Sequence, residues 1–120
     1  MSVKEVAEKL VRLCREGDIQ TCYDQLYSSE ILSIEPENFG GIQKAKGLET
    51  VMLKLKAVAV SVEEVHSTEI GDPIVAGNHF ALTWKTIMTN KGSDRKTAVD
   101  EIAVFEVKNG KIVEEHFFYR

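Results

Sequence analysis

Three glutamates in this 120-residue chain stand where a carboxyl group can take up and return protons near neutral pH. Glu35 follows the apolar run Ile31-Leu32-Ser33-Ile34 and precedes Pro36, Glu101 opens an alternating run that ends at Val107, and Glu115 lies between Val113 and Phe117. A carboxylate inside an apolar cavity resists ionisation, so its pKa rises toward the range in which it can serve as a general acid or base. Each position also has a plainer reading. Glu35 can be an exposed residue at a strand end, and Glu101 a solvated rim residue or a partner of Lys54 or Lys56. Glu115 has apolar neighbours on its predicted face, where an unpaired carboxylate is costly without a partner or a purpose.

Aromatic residues accompany these acids. Trp84, Phe105, Phe117 and Tyr119 fall on one predicted sheet face, and the N–H of Trp84 and O–H of Tyr119 can orient a polar group against their rings. Ordinary core packing is the stronger reading for any single one of them. Lys54 can neutralise an inner carboxylate or a substrate enolate, or lie on the solvated flank of a helix.

Other chemistries lack their residues. His66, His79 and His116 have no metal-ligand spacing, so neither a metal nor a cofactor is expected. Gly40-Gly41 has no phosphate-loop pattern, and no Ser or Cys sits in a nucleophile motif. Cys14 and Cys22 match no CxxC motif; they read as buried free thiols, with a disulfide or redox pair as the alternative. The 15 basic and 19 acidic side chains form no cluster that would neutralise a phosphate backbone, which argues against nucleic acid as a partner. No stretch approaches the ~20 apolar residues that span a bilayer, and the start Met1-Ser2-Val3-Lys4-Glu5-Val6 carries charges where a signal peptide needs an apolar core, so none is expected. The expected location is cytoplasmic.

The elements that must position the acids follow from periodicity. The length suits one domain, residues 1 to 120. Val3, Val6, Ala7, Leu10, Val11, Leu13 and Cys14 predict a helix over residues 3 to 15, with Ser2 as N-cap and Gly17 as its stop. Asp18 caps a second helix through Ile19, Cys22, Tyr23, Leu26 and Tyr27. Residues 31 to 35 predict a short strand, and Glu37 to Gly47 a loop. A third helix begins near Gly47, with an apolar stripe of Leu48, Val51, Met52, Leu55 and Ala59.

From about Val62 the period becomes two, with turns at Gly71-Asp72-Pro73, Gly77-Asn78, Asn90 to Lys96 and Asn109-Gly110. Helices first and a meander last is an α+β pattern: about three N-terminal helices against a curved antiparallel sheet. Phe80, Leu82 and Trp84 share a face, as do Glu101, Ala103, Phe105 and Val107, and Val113, Glu115, Phe117 and Tyr119. If the faces are reversed, Glu114 and His116 turn inward instead. Both faces are substantially apolar, so something must cover each. Helices cover one, and a second copy of the chain, packing on Ile102, Val104, Ile112 and Phe118, covers the other; loops are the alternative cover.

The ordered set of segments resembles the nuclear transport factor 2-like superfamily, in its SnoaL-like and ketosteroid isomerase-like branch. The segments are Gly17-Asp18-Ile19, Leu26-Tyr27-Ser28-Ser29-Glu30, Ser33-Ile34-Glu35-Pro36, Lys46-Gly47-Leu48-Glu49, Pro73-Ile74-Val75-Ala76-Gly77-Asn78, Asp100-Glu101-Ile102 and Asn109-Gly110-Lys111-Ile112-Val113. The resemblance implies a cone-shaped fold that wraps an apolar pocket, commonly as a homodimer. It places Glu35 where ketosteroid isomerase keeps its aspartate base. That enzyme's oxyanion hole uses a tyrosine and a protonated aspartic acid. Their positions fall near Leu10 and Ala103, so both donors are missing and steroid isomerisation by the same constellation is not expected. Two functions follow: cofactor-free proton transfer on a small apolar carbonyl compound, with Glu35 as base and Glu101 or Glu115 handling the second proton, or a non-catalytic ligand-binding or protein-association module.

Overall fold

Helix α1 (Val3–Arg15) starts at a capping box, in which the Ser2 hydroxyl accepts from the Glu5 N–H and the Glu5 carboxylate accepts from the Ser2 N–H. It buries Val6, Ala7, Leu10, Val11, Leu13 and Cys14, the stripe expected from their spacing. The computed structural model describes residues 1–119, the side chain of Asn38 excepted. Asp18 caps α2 (Ile19–Leu26) by accepting from the Thr21 N–H at 3.2 Å. The helix stops one residue short of the expectation: Tyr27 has extended backbone angles and begins a strand. Its spacing from Tyr23 suits a helix, but its hydroxyl is used across the sheet, and that long-range contact prevails over local periodicity.

Strand β1 (Tyr27–Ile34) is followed by a 3₁₀ turn (Glu37–Phe39), β2 (Lys44–Lys46), α3 (Leu48–Val60), β3 (Val62–Ile70), β4 (Ile74–Ala76), β5 (His79–Asn90), β6 (Lys96–Lys108) and β7 (Lys111–Phe118). The predicted loop from Glu37 to Gly47 therefore contains a helical turn and a strand. The sheet order is β2-β1-β7-β6-β5-β3, with β4 also on β5. One pair departs from the expected antiparallel sheet: β1 runs parallel to β7, so the sheet is mixed. A parallel pair needs a long crossover, and here α3 and the whole β3–β6 meander lie between the two strands.

The inner face of the sheet meets the helices. Phe80 and Phe105 stack at 4.6 Å between ring centroids, and Leu10, Leu26, Ile31 and Ile112 are fully buried around them. Asn109 and Gly110 both have positive φ, 52° and 74°, as a two-residue hairpin turn requires. Just beyond it, Val107 pairs with Ile112 but Glu106 pairs with Glu114, so β7 carries one extra residue. This bulge reverses the side-chain parity. Ile112 points inward and is 0% exposed, not part of the outer face as simple alternation predicted. Beyond the bulge the alternation resumes, and Glu115 and Phe117 share the inner face with their β6 partners Phe105 and Ala103. Ile102 and Phe118 remain on the outer side, about half exposed.

In α3 the buried residues are Val51 and Lys54. Leu55 and Ala59, expected in the buried stripe, are exposed. The helix carries apolar residues on every side, so periodicity alone could not fix which turn faces the sheet. Arg15 ties the end of α1 to the sheet, donating to the Ile70 carbonyl at 2.7 Å and to Asp72 at 2.9 Å. Among the described residues no helix is long and apolar enough to cross a membrane.

The bulge makes a testable distinction between neighbours. Ile112→Ala should cost about 2–5 kcal/mol by urea denaturation, the range for a fully buried large side chain. Val113→Ala, at the half-buried extra residue, should cost clearly less. Equal losses would contradict the parity change.

Candidate functional site

Parallel pairing of β1 with β7 sets Ser33 beside Glu115 in register, and both are buried, at 0% and 3% exposure. The Ser33 hydroxyl donates to Glu115 Oε1 at 2.9 Å, and the Tyr27 hydroxyl donates to Oε2 at 2.5 Å. Lys54 enters from α3. Its Nζ donates to Ser33 Oγ at 2.5 Å and to Glu35 Oε2 at 3.4 Å, and lies 5.6 Å from the centroid of the Phe117 ring. Tyr119 closes the chain of contacts by donating to Glu35 Oε1 at 3.0 Å.

Backbone geometry fixes these groups. The Glu35 N–H bonds the Gln43 carbonyl at 2.8 Å while Pro36 holds extended angles, so the carboxyl at the strand end cannot swing away with its backbone. Gly47, at φ 89°, donates to the Ile31 carbonyl at 2.8 Å and turns the chain into α3, two turns before Lys54.

Burial dominates the electrostatics. It pushes the Glu115 carboxyl above its ordinary value; the hydrogen bonds from Tyr27 and Ser33 and the Lys54 charge pull the other way, and Glu35 adds to the rise. Glu101 is pushed up to about 7, first by burial, then by the charges of Glu35 and Glu115, against the opposing pull of Lys54. Burial and the neighbouring carboxylates also raise Tyr27 and Tyr119, which keeps both hydroxyls protonated as donors.

Six of the eight residues singled out from sequence belong to this cluster. Glu35, Glu115, Lys54, Phe117 and Tyr119 are joined by the contacts above, and Glu101 shares their electrostatic field. Trp84 is the direct cross-strand partner of Glu101 and packs half-buried against the core. Phe105 is different: at 1% exposure and stacked on Phe80, it is core and not a lining residue. Lys54 is buried instead of lying on a solvated flank, and its partners are Ser33 and Glu35, not Glu101. Among the described residues no hydrogen bond or ion pair engages the Glu101 side chain, and no group of three or more His, Cys, Asp or Glu is arranged to hold a metal. Sequence reasoning missed Tyr27 and Ser33. The two-residue spacing of Ile31, Ser33 and Glu35 was the available signal for Ser33; Tyr27 lay hidden in the helical spacing of Tyr23 and Leu26.

The family model of the SnoaL-like domain matches residues 1–119. The chain belongs to that family. This SnoaL-like domain is 31% identical to a protein of Mesorhizobium loti provisionally named a SnoaL-like polyketide cyclase, also carbohydrate phosphatase. The similarity covers 99% of this chain and 100% of that one, with a TM-score of 0.92. An NTF2-like protein of Burkholderia thailandensis shares the fold at 12% identity, with a TM-score of 0.86, over 100% of this chain and 92% of that one. TerC, co-crystallised with polyporic acid, shares it at 14% identity, with a TM-score of 0.79, over 99% and 92%. No curated protein matches the chain.

Glu101 gives the SnoaL-like domain a pH signature. Its folded-state pKa of about 7 lies above the ordinary 4.5, so the folded state holds this proton more tightly than the unfolded chain does. The resulting stabilisation is complete below about pH 4.5 and is lost as pH rises through about 7. Glu115 contributes with the same sign. Glu101→Gln should remove its share of the slope, at most about 1.4 kcal/mol per pH unit. Denaturation midpoints followed across this window check it, and parallel curves for the two proteins would exclude the assignment. Lys54→Met strands the buried acids without their cation and should cost about 3 kcal/mol or more at neutral pH in the same assay.

Proposed function

We propose that this SnoaL-like domain binds a small apolar carbonyl compound and transfers protons on it without a cofactor, in an isomerisation, cyclisation or dehydration. Glu35 accepts the proton from carbon, and Glu101 returns one. Trp84, Phe117 and Tyr119 pack on the substrate. The observation that carries this reading is Glu101: a half-buried carboxyl with no protein partner among the described residues, opposite Trp84, with its pKa raised to about 7 beside Glu35. A group that is near half-protonated at neutral pH can serve as acid or base with little cost to reach either state. Glu115, at 3% exposure and bonded at both oxygens, suits holding the site together more than meeting a substrate.

The ion pair gives the reaction an electrostatic logic. When Glu35 takes the proton, negative charge leaves its carboxylate and appears on the substrate enolate. Lys54 and Tyr119, which donate to Glu35 in the resting site, then remain as donors for that enolate. The charge of the cluster is unchanged, and it moves only from one acceptor to another. TerC, of the same fold, was co-crystallised with polyporic acid, which supports a small-molecule reading.

A second reading has its own observation. Both Glu35 oxygens are already occupied, by Lys54 and Tyr119, as in a site that binds without reacting. A non-catalytic binding or association module is consistent with that. The two readings divide on Glu35→Gln, which preserves shape and removes the base. Native mass spectrometry of the purified protein, with soaked carbonyl compounds, identifies a ligand. On that ligand the enzyme reading expects turnover that falls by ~10² or more in Glu35→Gln, with binding largely retained. Equal activity in the variant would end the assignment of the base, and binding without any turnover would select the second reading.

The assembly we propose is a homodimer in the cytoplasm, packed through the outer sheet face at Ile102, Val104 and Phe118, with Ile112 excluded by the bulge. Ile102 and Phe118, at 50% and 49% exposure, support it as apolar side chains in need of cover. Sedimentation equilibrium should give twice the chain mass, and Val104→Glu should return the monomer. A monomer at high micromolar concentration would refute this interface.

A further inference from the structure

Cys14, in the last turn of α1, and Cys22, in the first turn of α2, face each other across a short connection, their sulfurs 3.7 Å apart. Both are buried, at 8% and 2% exposure, and they take no part in the carboxyl cluster. We propose that these two thiols are a modification site, converted by peroxide-class oxidants into a reversible intramolecular disulfide that staples α1 to α2. A disulfide needs about 2.0 Å between sulfurs, so the two must close from 3.7 Å. The connection carries Gly17 at φ 78°, with open space where a Cβ would stand, and α2 is only eight residues long. Helices this short hold together by packing and open locally at low cost, which admits a small oxidant.

The pair is chemically asymmetric. Either thiol can donate across this contact; with Cys14 as the donor, the contact lowers Cys22 against the opposing pull of burial and Asp18 and with some help from Lys9, while the same contact and burial raise Cys14. In that arrangement Cys22 is the better nucleophile. Its thiolate attacks the peroxide O–O bond, forming a sulfenic acid and releasing alkoxide or hydroxide, which takes up a proton. Cys14 sulfur then attacks the sulfenyl sulfur, the S–S bond forms as the S–O bond breaks, and the Cys14 proton leaves with the hydroxide as water. Two thiols are oxidised and one peroxide is reduced. The bond would bear on the site indirectly: Tyr23, next to Cys22, packs edge-on against Tyr27 at 4.7 Å, and Tyr27 holds Glu115.

The inference does not depend on the proton-transfer reading. Folded protein is treated with hydrogen peroxide, quenched, unfolded in denaturant with an alkylating reagent and weighed intact. The alkylatable thiols should fall from two to none with a mass loss of two hydrogens, restored by dithiothreitol. Cys14→Ser, lacking the resolving thiol, should instead retain a sulfenic acid trapped by dimedone. Thiols that stay alkylatable under conditions that oxidise free dithiothreitol would overturn the proposal. So would a disulfide-linked dimer as the product, or a disulfide that forms only when the same treatment is run in urea.

Discussion

Lys54 is the cation on which the interior depends, because three carboxyl groups converge on its surroundings and its ammonium directly pairs with one of them. One positive charge cannot compensate three negative charges in a region this buried. The remaining acids must hold protons or be tied down by hydroxyl donors, and both solutions are visible. Tyr27 and Ser33 tie down Glu115. Glu101, with no donor of its own among the described residues, keeps a proton up to about pH 7. The reactivity proposed for the site and its stability thus rest on one electrostatic arrangement, seen at two different glutamates.

Position follows from strand register more than from any single side chain. Ser33 and Glu115 meet because β1 and β7 run in the same direction, and Trp84 meets Glu101 because β5 and β6 are paired residue for residue. The bulge near the last hairpin performs the equivalent service for β7. Without it, either Ile112 or Glu115 would be on the wrong side of the sheet. A strand with one extra residue can serve two demands that strict alternation would set against each other: a buried aliphatic beside the hairpin and a buried acid three residues later.

Much of this was legible in the chain. The helix caps at Ser2 and Asp18, the Asn109-Gly110 turn and the change of period after Val62 are local signals, and each corresponds to an observed element. The inward placement of Glu101 and Glu115 also follows from alternation. What was not legible depends on distant contacts. Nothing local tells that β1 aligns parallel to β7, that Tyr27 leaves a helical spacing to reach a residue 88 positions away, or that the sheet covers Lys54 and leaves Leu55 open. The parity reversal at Ile112 and Val113 was hidden for a related reason: a bulge is defined by the partner strand, and the sequence of one strand does not contain it.

The parallel join of β1 to β7 also orders events in time. The hydroxyl-to-carboxylate contacts it makes span 82 and 88 residues, and neither can form until the chain's final strand is available. Closing so large a loop is entropically unfavourable and gives nothing back until the ends have met. The early helices can pack on each other without the end of the chain, but β1 must wait beside them with its inner edge unpaired while the meander is made. The carboxyl cluster is therefore a late product of folding. A nascent or C-terminally shortened chain would hold most of the residues of the site and none of its geometry.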